Sequence, residues 1–180
     1  MGLLRCTQKV LTEVGIKAAS LHEGDDPAEE LALWYANLIH LARKKTLIFA
    51  NPATCFSLVV PAVRRAEVKD LPAVFVNALA SALRFEGVED ETAARVVSLF
   101  EVTHIGKTKD RRPLGVMNDL AKHIEAHLYY DYAGDVSLMD GRLLKKLNRI
   151  PWSGLKFHTG VEQLGHVLRE RYGWEGRFAR

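Results

Sequence analysis

Residues 31–62 contain three short apolar runs, and turn residues separate each run from the next. The runs occupy residues 37–41, 46–49 and 55–60. They are rich in β-branched and aromatic residues, a composition typical of strands. Three such runs in close succession predict an antiparallel meander, and their imperfect alternation indicates that helices cover a face of it.

After Asp70 the apolar residues recur at intervals of three and four, the period of one helix face. Helices are therefore predicted over residues 71–83, 90–97, 113–128, 137–147 and 161–172, with a short one over 8–14. Thr7 and Asp70 are expected to cap two of them, and Pro113 to open the longest. Further strands are predicted over residues 3–6 and 100–105. The pattern predicts an α+β fold, in which a small antiparallel sheet packs against several amphipathic helices, within a single domain over residues 1–180.

The composition excludes several classes of protein. Of the 180 residues, 48% are hydrophobic and 26% are charged, which is typical of a globular chain rather than a disordered or fibrous one. No apolar run reaches the ~20 residues of a membrane helix, and the residues after Met1 do not resemble a signal peptide. We therefore expect a soluble, cytoplasmic protein without a membrane partner. Cys6 and Cys55 are expected to be buried, reduced thiols.

The net charge of +3 is unevenly distributed along the chain. Residues 142–180 hold nine Lys and Arg against three Asp and Glu, whereas residues 1–141 hold 16 against 19. The chain therefore has a basic C-terminal helical segment, from about residue 138. A second basic stretch lies in a loop predicted over residues 106–112. Such clusters are typical either of a contact with phosphates or an acidic partner, or of a solvated face.

Eight basic residues in these two stretches are candidate contacts for nucleic acid or for another anionic partner, such as an acidic protein. The predicted loop precedes a helix start, where free backbone N–H groups and the helix dipole attract anions. The candidates are Lys107, Lys109, Arg111, Arg112, Arg142, Lys145, Lys146 and Arg149.

Asp119, His123 and His127 follow one another at intervals of four residues, so on a helix they rise along one side. Two imidazoles and a carboxylate at this spacing can hold a divalent metal or act as acid and base. These residues are therefore candidate catalytic and metal-binding residues. The alternative is a structural role, because His123 lies close to the apolar side of the helix. No cofactor is predicted.

Three sequence motifs resemble those of a known family. They are Arg5-Cys6-Thr7 followed by Lys9, the run from Trp34 to Leu38, and Leu114-Gly115 followed by the run from Met117 to Leu120. With these motifs the chain resembles an uncharacterised bacterial domain family, a domain of unknown function. The resemblance implies a shared fold and a bacterial origin, and it transfers no activity.

These observations favour a non-catalytic binding module whose basic residues form its contact surface. One alternative is a small metal-dependent enzyme that uses the Asp/His/His helix face described above. The other is a protein–protein interaction subunit, whose exposed aromatic residues bury against a partner or a second copy. Trp34, Tyr35 and Trp152 are expected to be core or interface anchors. The oligomeric state stays open.

Overall fold

The computed structural model describes residues 1–179 and combines helices with a mixed sheet. Within these residues, one sheet holds the five strands β1 (Gly2–Cys6), β2 (Leu33–Leu41), β3 (Lys44–Ala50), β4 (Ser57–Val60) and β5 (Thr103–Lys107). The α-helices are α1 (Gln8–Val14), α2 (Arg65–Lys69), α3 (Leu71–Phe85), α4 (Asp90–Ser98), α5 (Arg111–Asp131), α6 (Gly141–Leu147) and α7 (Gly160–Tyr172). The predicted α+β class is confirmed.

The strands lie in the order β4-β3-β2-β1-β5. Strands β2, β3 and β4 pair antiparallel, so the predicted meander is present. Strand β1 pairs parallel with both β2 and β5, and the sheet as a whole is therefore mixed rather than purely antiparallel. Parallel neighbours need a crossover connection, and here segments containing helices lead into β2 and into β5. An apolar run predicts that a strand exists but not which neighbour it pairs with.

Both faces of the sheet are covered by helices, which explains the imperfect alternation in the sequence. On one face, Trp34, Phe49 and Phe75 belong to a buried cluster that α1, α3, α4 and α7 help to form. On the other face, Tyr35 and Ile48 are buried together with the apolar residues of α5 and α6. Among residues 1–179, no helix is both long enough and apolar enough to cross a membrane.

Strand β5 and helix α6 are among the elements whose bounds differ from the prediction. Strand β5 begins at Thr103, later than predicted, because Phe100 packs in the core with its ring centroid 4.7 Å from that of Phe75. The helix predicted over 137–147 is a 3-10 turn at Val136–Leu138 followed by α6, since the Asp140 carboxylate accepts from the Arg142 N–H at 3.0 Å and starts a new helix. The spacing of apolar residues does not distinguish a core residue from the start of a strand, nor one long helix from two short ones.

The long helix α5 begins at Arg111, two residues before the predicted opening at Pro113. Asp110 is its N-cap, with the carboxylate accepting from the Arg112 N–H at 2.9 Å. Arg111 and Arg112 therefore stand in the first turn of a helix and not in a loop. Thr7 precedes α1 as predicted but does not cap it with its side chain, because its hydroxyl donates to Asn37 Oδ1 at 3.0 Å.

Candidate functional site

A cleft of about 210 Å³ lies where the first turns of α5 approach the end of β3 and the loop after α6. Arg112, Pro113, Val116 and Asp119 of α5 form one wall. The other walls come from residues 50–52 and Cys55, and from residues 152–155. Most of the lining is apolar, and Trp152 is its aromatic residue. The cleft therefore combines a mostly apolar lining with the cationic side chain of Arg112 and the anionic side chain of Asp119.

The wall after β3 is held in place by the buried side chain of Asn51. Its Oδ1 accepts from the N–H groups of Ala53 and Thr54 at 3.1 and 2.9 Å. Its Nδ2 donates to the carbonyl oxygens of Glu30 and Leu33 at 2.8 and 3.0 Å. A short polar side chain that bonds the backbone in this way fixes a turn. This wall is consequently preformed.

The wall at residues 152–155 belongs to a loop closed by an isolated bridge between Pro151 and Thr159. The Trp152 N–H donates to the His158 carbonyl at 3.1 Å, and the Phe157 N–H donates to the Trp152 carbonyl at 2.9 Å. Within the described chain, the indole N–H of Trp152 is buried and has no acceptor. Phe157, in contrast, is 74% exposed. The loop thus places one aromatic ring in the cleft and a second in solvent.

Four of the predicted basic contacts gather at the end of β5 and the start of α5. We call Lys107, Lys109, Arg111 and Arg112 the basic surface. All four are exposed, and in the described chain the side chains of Lys107 and Arg111 form no hydrogen bond or ion pair. Lys109 Nζ donates to the Gly24 carbonyl at 2.8 Å, and Arg112 is 3.6 Å from the Asp110 carboxylate. This surface borders the cleft through Arg112.

The other four predicted contacts have partners within the protein. Arg142 pairs with Asp140 at 2.8 Å and Lys146 with Asp131 at 2.7 Å. Arg149 pairs with the buried carboxylate of Glu86. The Lys145 ammonium lies over the ring of Phe85, 5.0 Å from its centroid. These contacts partly neutralise the charge of the C-terminal segment. Three of these residues are therefore ion-paired, whereas the basic surface contains two side chains, Lys107 and Arg111, without an ion pair in the described chain.

The three candidate metal ligands share helix α5 but not a common site. Asp119 accepts from Lys122 Nζ at 2.9 Å, His127 lies 2.6 Å from the Asp131 carboxylate, and His123 is exposed. Among residues 1–179, no group of three His, Cys, Asp or Glu side chains is placed to hold a metal ion. The metal-binding and catalytic roles stay predictions, and stoichiometric metal that is lost on His123→Ala would support them.

Arg5 is a structural residue that the sequence analysis did not identify, although it belongs to the first family motif. Its guanidinium is buried and donates to the Asp26 carboxylate and to the carbonyl oxygens of His22 and Gly24. It thereby holds residues 22–26, whose Gly24 carbonyl also accepts from Lys109. A buried arginine within a strand gives no periodic signal, so its partner could not be predicted.

Neither thiol is activated for nucleophilic chemistry. Cys6 and Cys55 are both buried and form no disulfide with each other. Burial raises the pKa of the Cys6 thiol to about 12. Burial also raises the pKa of Cys55, which lines the cleft, although the positive charge of Arg112 opposes this shift. The prediction that both residues are buried thiols is confirmed. The predicted core position of Trp34 and Tyr35 is also confirmed.

The comparison with known proteins supports the family resemblance and gives no activity. No curated protein matches the sequence. A family model described as a domain of unknown function, DUF6933, matches residues 3–162, which is most of the chain. The protein therefore belongs to the DUF6933 family.

Proposed function

We propose that the protein is a non-catalytic binding module that holds nucleic acid through the basic surface at the start of α5. The observation that carries the proposal is the partition of the basic residues. Arg142, Lys146 and Arg149 pair with carboxylates, whereas Lys107 and Arg111 of the basic surface face solvent without an ion pair in the described chain. Exposed Lys and Arg side chains that lack partners are the groups that replace counterions along a phosphate backbone.

The position of the basic surface adds to its attraction for phosphates. Arg111 and Arg112 stand in the first turn of a 21-residue helix. Backbone N–H groups at such a helix start are frequent phosphate contacts in nucleic-acid complexes. Asp110 already accepts from one of them and offsets part of the field. We therefore assign most of the affinity to the basic side chains rather than to the helix dipole.

The cleft beside the surface supports binding rather than catalysis. Its thiol, Cys55, has a raised pKa and is therefore held protonated at neutral pH. Its carboxylate, Asp119, accepts a hydrogen bond from Lys122. Neither group is arranged as a nucleophile with an adjacent base.

Charge reversal at the basic surface tests the proposal. Arg111→Glu/Arg112→Glu is expected to weaken binding of a labelled DNA or RNA oligomer about tenfold or more in fluorescence anisotropy at low salt. Glutamate in the first turn favours a helix, so this variant is expected to keep α5. The matched control is Arg43→Glu/Lys44→Glu, which changes the net charge by the same amount at two exposed residues beside the end of β3 that lies away from the cleft. We expect it to change affinity by less than about twofold.

Two results would overturn the proposal. One is an equal loss of affinity in both variants, which would indicate attraction by overall charge alone. The other is a wild-type protein that binds polyglutamate but no oligonucleotide, which would assign the surface to an acidic protein partner.

A further inference from the structure

We infer that the cleft takes one unpaired base of a single-stranded nucleic acid, so that the module prefers single strands to duplexes. This inference rests on the proposed function, because the phosphates on either side of that base would lie on the basic surface. Arg112 joins the two, since it belongs to the basic surface and also lines the cleft. In a duplex the bases are paired and stacked, so none is free to enter the cleft.

The volume of the cleft fits one planar ring system rather than a whole drug-sized molecule. Sites for drug-sized molecules enclose about 300–1,000 Å³, whereas this cleft encloses about 210 Å³. An occupant of this volume would be one planar group whose remaining parts continue outside. A base attached to a sugar–phosphate chain has this form, and Arg112 at the cleft wall belongs to the basic surface along which the chain would continue.

The lining of the cleft has the chemistry that holds bases. Trp152, Pro52 and Pro113 offer ring surfaces, and an aromatic ring beside basic residues is the arrangement used for single strands. Arg112 can donate to acceptors on the edge of a base, and Asp119 can accept from an exocyclic amino group. The cleft therefore offers both stacking surfaces and edge contacts.

The loop that carries Trp152 makes a tight turn that leaves Phe157 at the surface. Lys156 and Phe157 adopt consecutive left-handed conformations, with φ of 52° and 66°. Ala42 and Arg43, in the turn between β2 and β3, adopt the same pair of conformations, as tight turns between antiparallel segments do. Phe157 is exposed beside this wall. It is thus available to contact the nucleotide next to the one in the cleft.

The test compares three labelled DNA probes of equal length in fluorescence anisotropy: a single strand, a strand of abasic residues, and a duplex. The wild-type protein is expected to bind the single strand about tenfold more tightly than the other two. Trp152→Ala is expected to remove this preference and to leave binding of the abasic strand unchanged. The abasic strand carries the same phosphates, so its binding reports the basic surface alone.

A second variant fills the cleft while Trp152 is retained. Val116 is a half-buried side chain that lines the cleft from α5, so Val116→Phe should keep the helix and enlarge the cleft wall. Its preference for the single strand is expected to fall as in Trp152→Ala. Ala94→Leu is the control, because it adds an exposed side chain on α4, across the sheet from the cleft.

The outcomes separate this inference from the proposed function. Equal wild-type affinity for the single strand and the abasic strand would refute the base site and leave the phosphate contact standing. An undiminished preference in Val116→Phe would also refute it, whatever the folding of Trp152→Ala. Binding of none of the three probes would overturn both proposals.

Discussion

Glu86 and Arg149 form a doubly hydrogen-bonded ion pair across 63 residues of sequence. The distances are 2.9 Å from Arg149 Nη1 to Glu86 Oε1 and 2.8 Å from Nη2 to Oε2. Arg149 Nη2 also donates to the Ala179 carbonyl at 3.0 Å, and the Ala179 N–H donates to the Glu86 carbonyl at 2.7 Å. The pair thus connects the ends of α3 and α6 with the backbone of Ala179.

Removal of Arg149 is expected to destabilise the fold, because the Glu86 side chain is only 2% exposed and would lose its counter-charge. Arg149→Ala should lower the free energy of unfolding by about 3 kcal/mol in urea titrations. Arg142→Ala, which breaks an exposed pair on α6, should change it by less than about 0.5 kcal/mol. Similar values for the two variants would contradict this assignment of Arg149 to structure.

Asn148 ties α6 to the edge strand β4 with two hydrogen bonds to the backbone of Ser57. Its Oδ1 accepts from the Ser57 N–H at 2.7 Å, and its Nδ2 donates to the Ser57 carbonyl at 2.9 Å. Ser57 and Asn148 are both buried. Asn148→Ala leaves a buried N–H and carbonyl unsatisfied and should cost about 2–3 kcal/mol of unfolding free energy in urea titrations. A cost below about 0.5 kcal/mol would indicate that water replaces the side chain.

Gly115 is an exposed glycine inside α5, and a Cβ atom added there meets no other atom within 4 Å. Alanine restricts the unfolded chain more than glycine does and favours a helix. Gly115→Ala should therefore raise the free energy of unfolding by about 0.5–1 kcal/mol, measured in urea. An unchanged or lower value would contradict this expectation and show that α5 does not accommodate a Cβ atom at this position.

The stability of the α5–α6 contact should depend on pH through Asp131. Hydrogen bonds from Lys146 and His127 hold the pKa of this carboxyl below its ordinary value. Because the pKa is lower in the folded state, the stabilisation is complete above the unfolded value of about 4 and is lost as the pH falls through the folded value. The difference in unfolding free energy between wild type and Asp131→Asn should consequently narrow below about pH 4. A difference that stays constant between about pH 7 and pH 3 would exclude this linkage.

The sequence alone predicts the elements of this fold better than their arrangement. The runs that form β2 and β3 and the periodicity of α3 were sufficient, because local spacing reports which side of an element is buried. The parallel pairing of β1 with β5 was not predictable in this way, since the partners Leu3 and His104 are about a hundred residues apart. Pairing of distant strands depends on crossover connections that leave no periodic trace.

The candidate site was predicted in part, for a related reason. The basic character of Arg111 and Arg112 is visible in the sequence, but their helical position depends on the cap at Asp110. That Arg149 is paired depends on Glu86, which is 63 residues away in sequence. The cleft itself joins three separate segments, and Trp152 gave no sequence signal for its place there.

The salt dependence of oligonucleotide binding tests the central claim most directly. Four phosphate contacts on the basic surface predict that log K for a single strand falls with log salt concentration with a slope of about −3. Affinity should thus fall roughly 50-fold between about 50 and 200 mM salt. Arg111→Glu/Arg112→Glu should make the slope shallower, with a magnitude of about 1.5 or smaller. Absence of wild-type binding at about 50 mM salt, or the same slope in both proteins, would contradict the assignment of the basic surface.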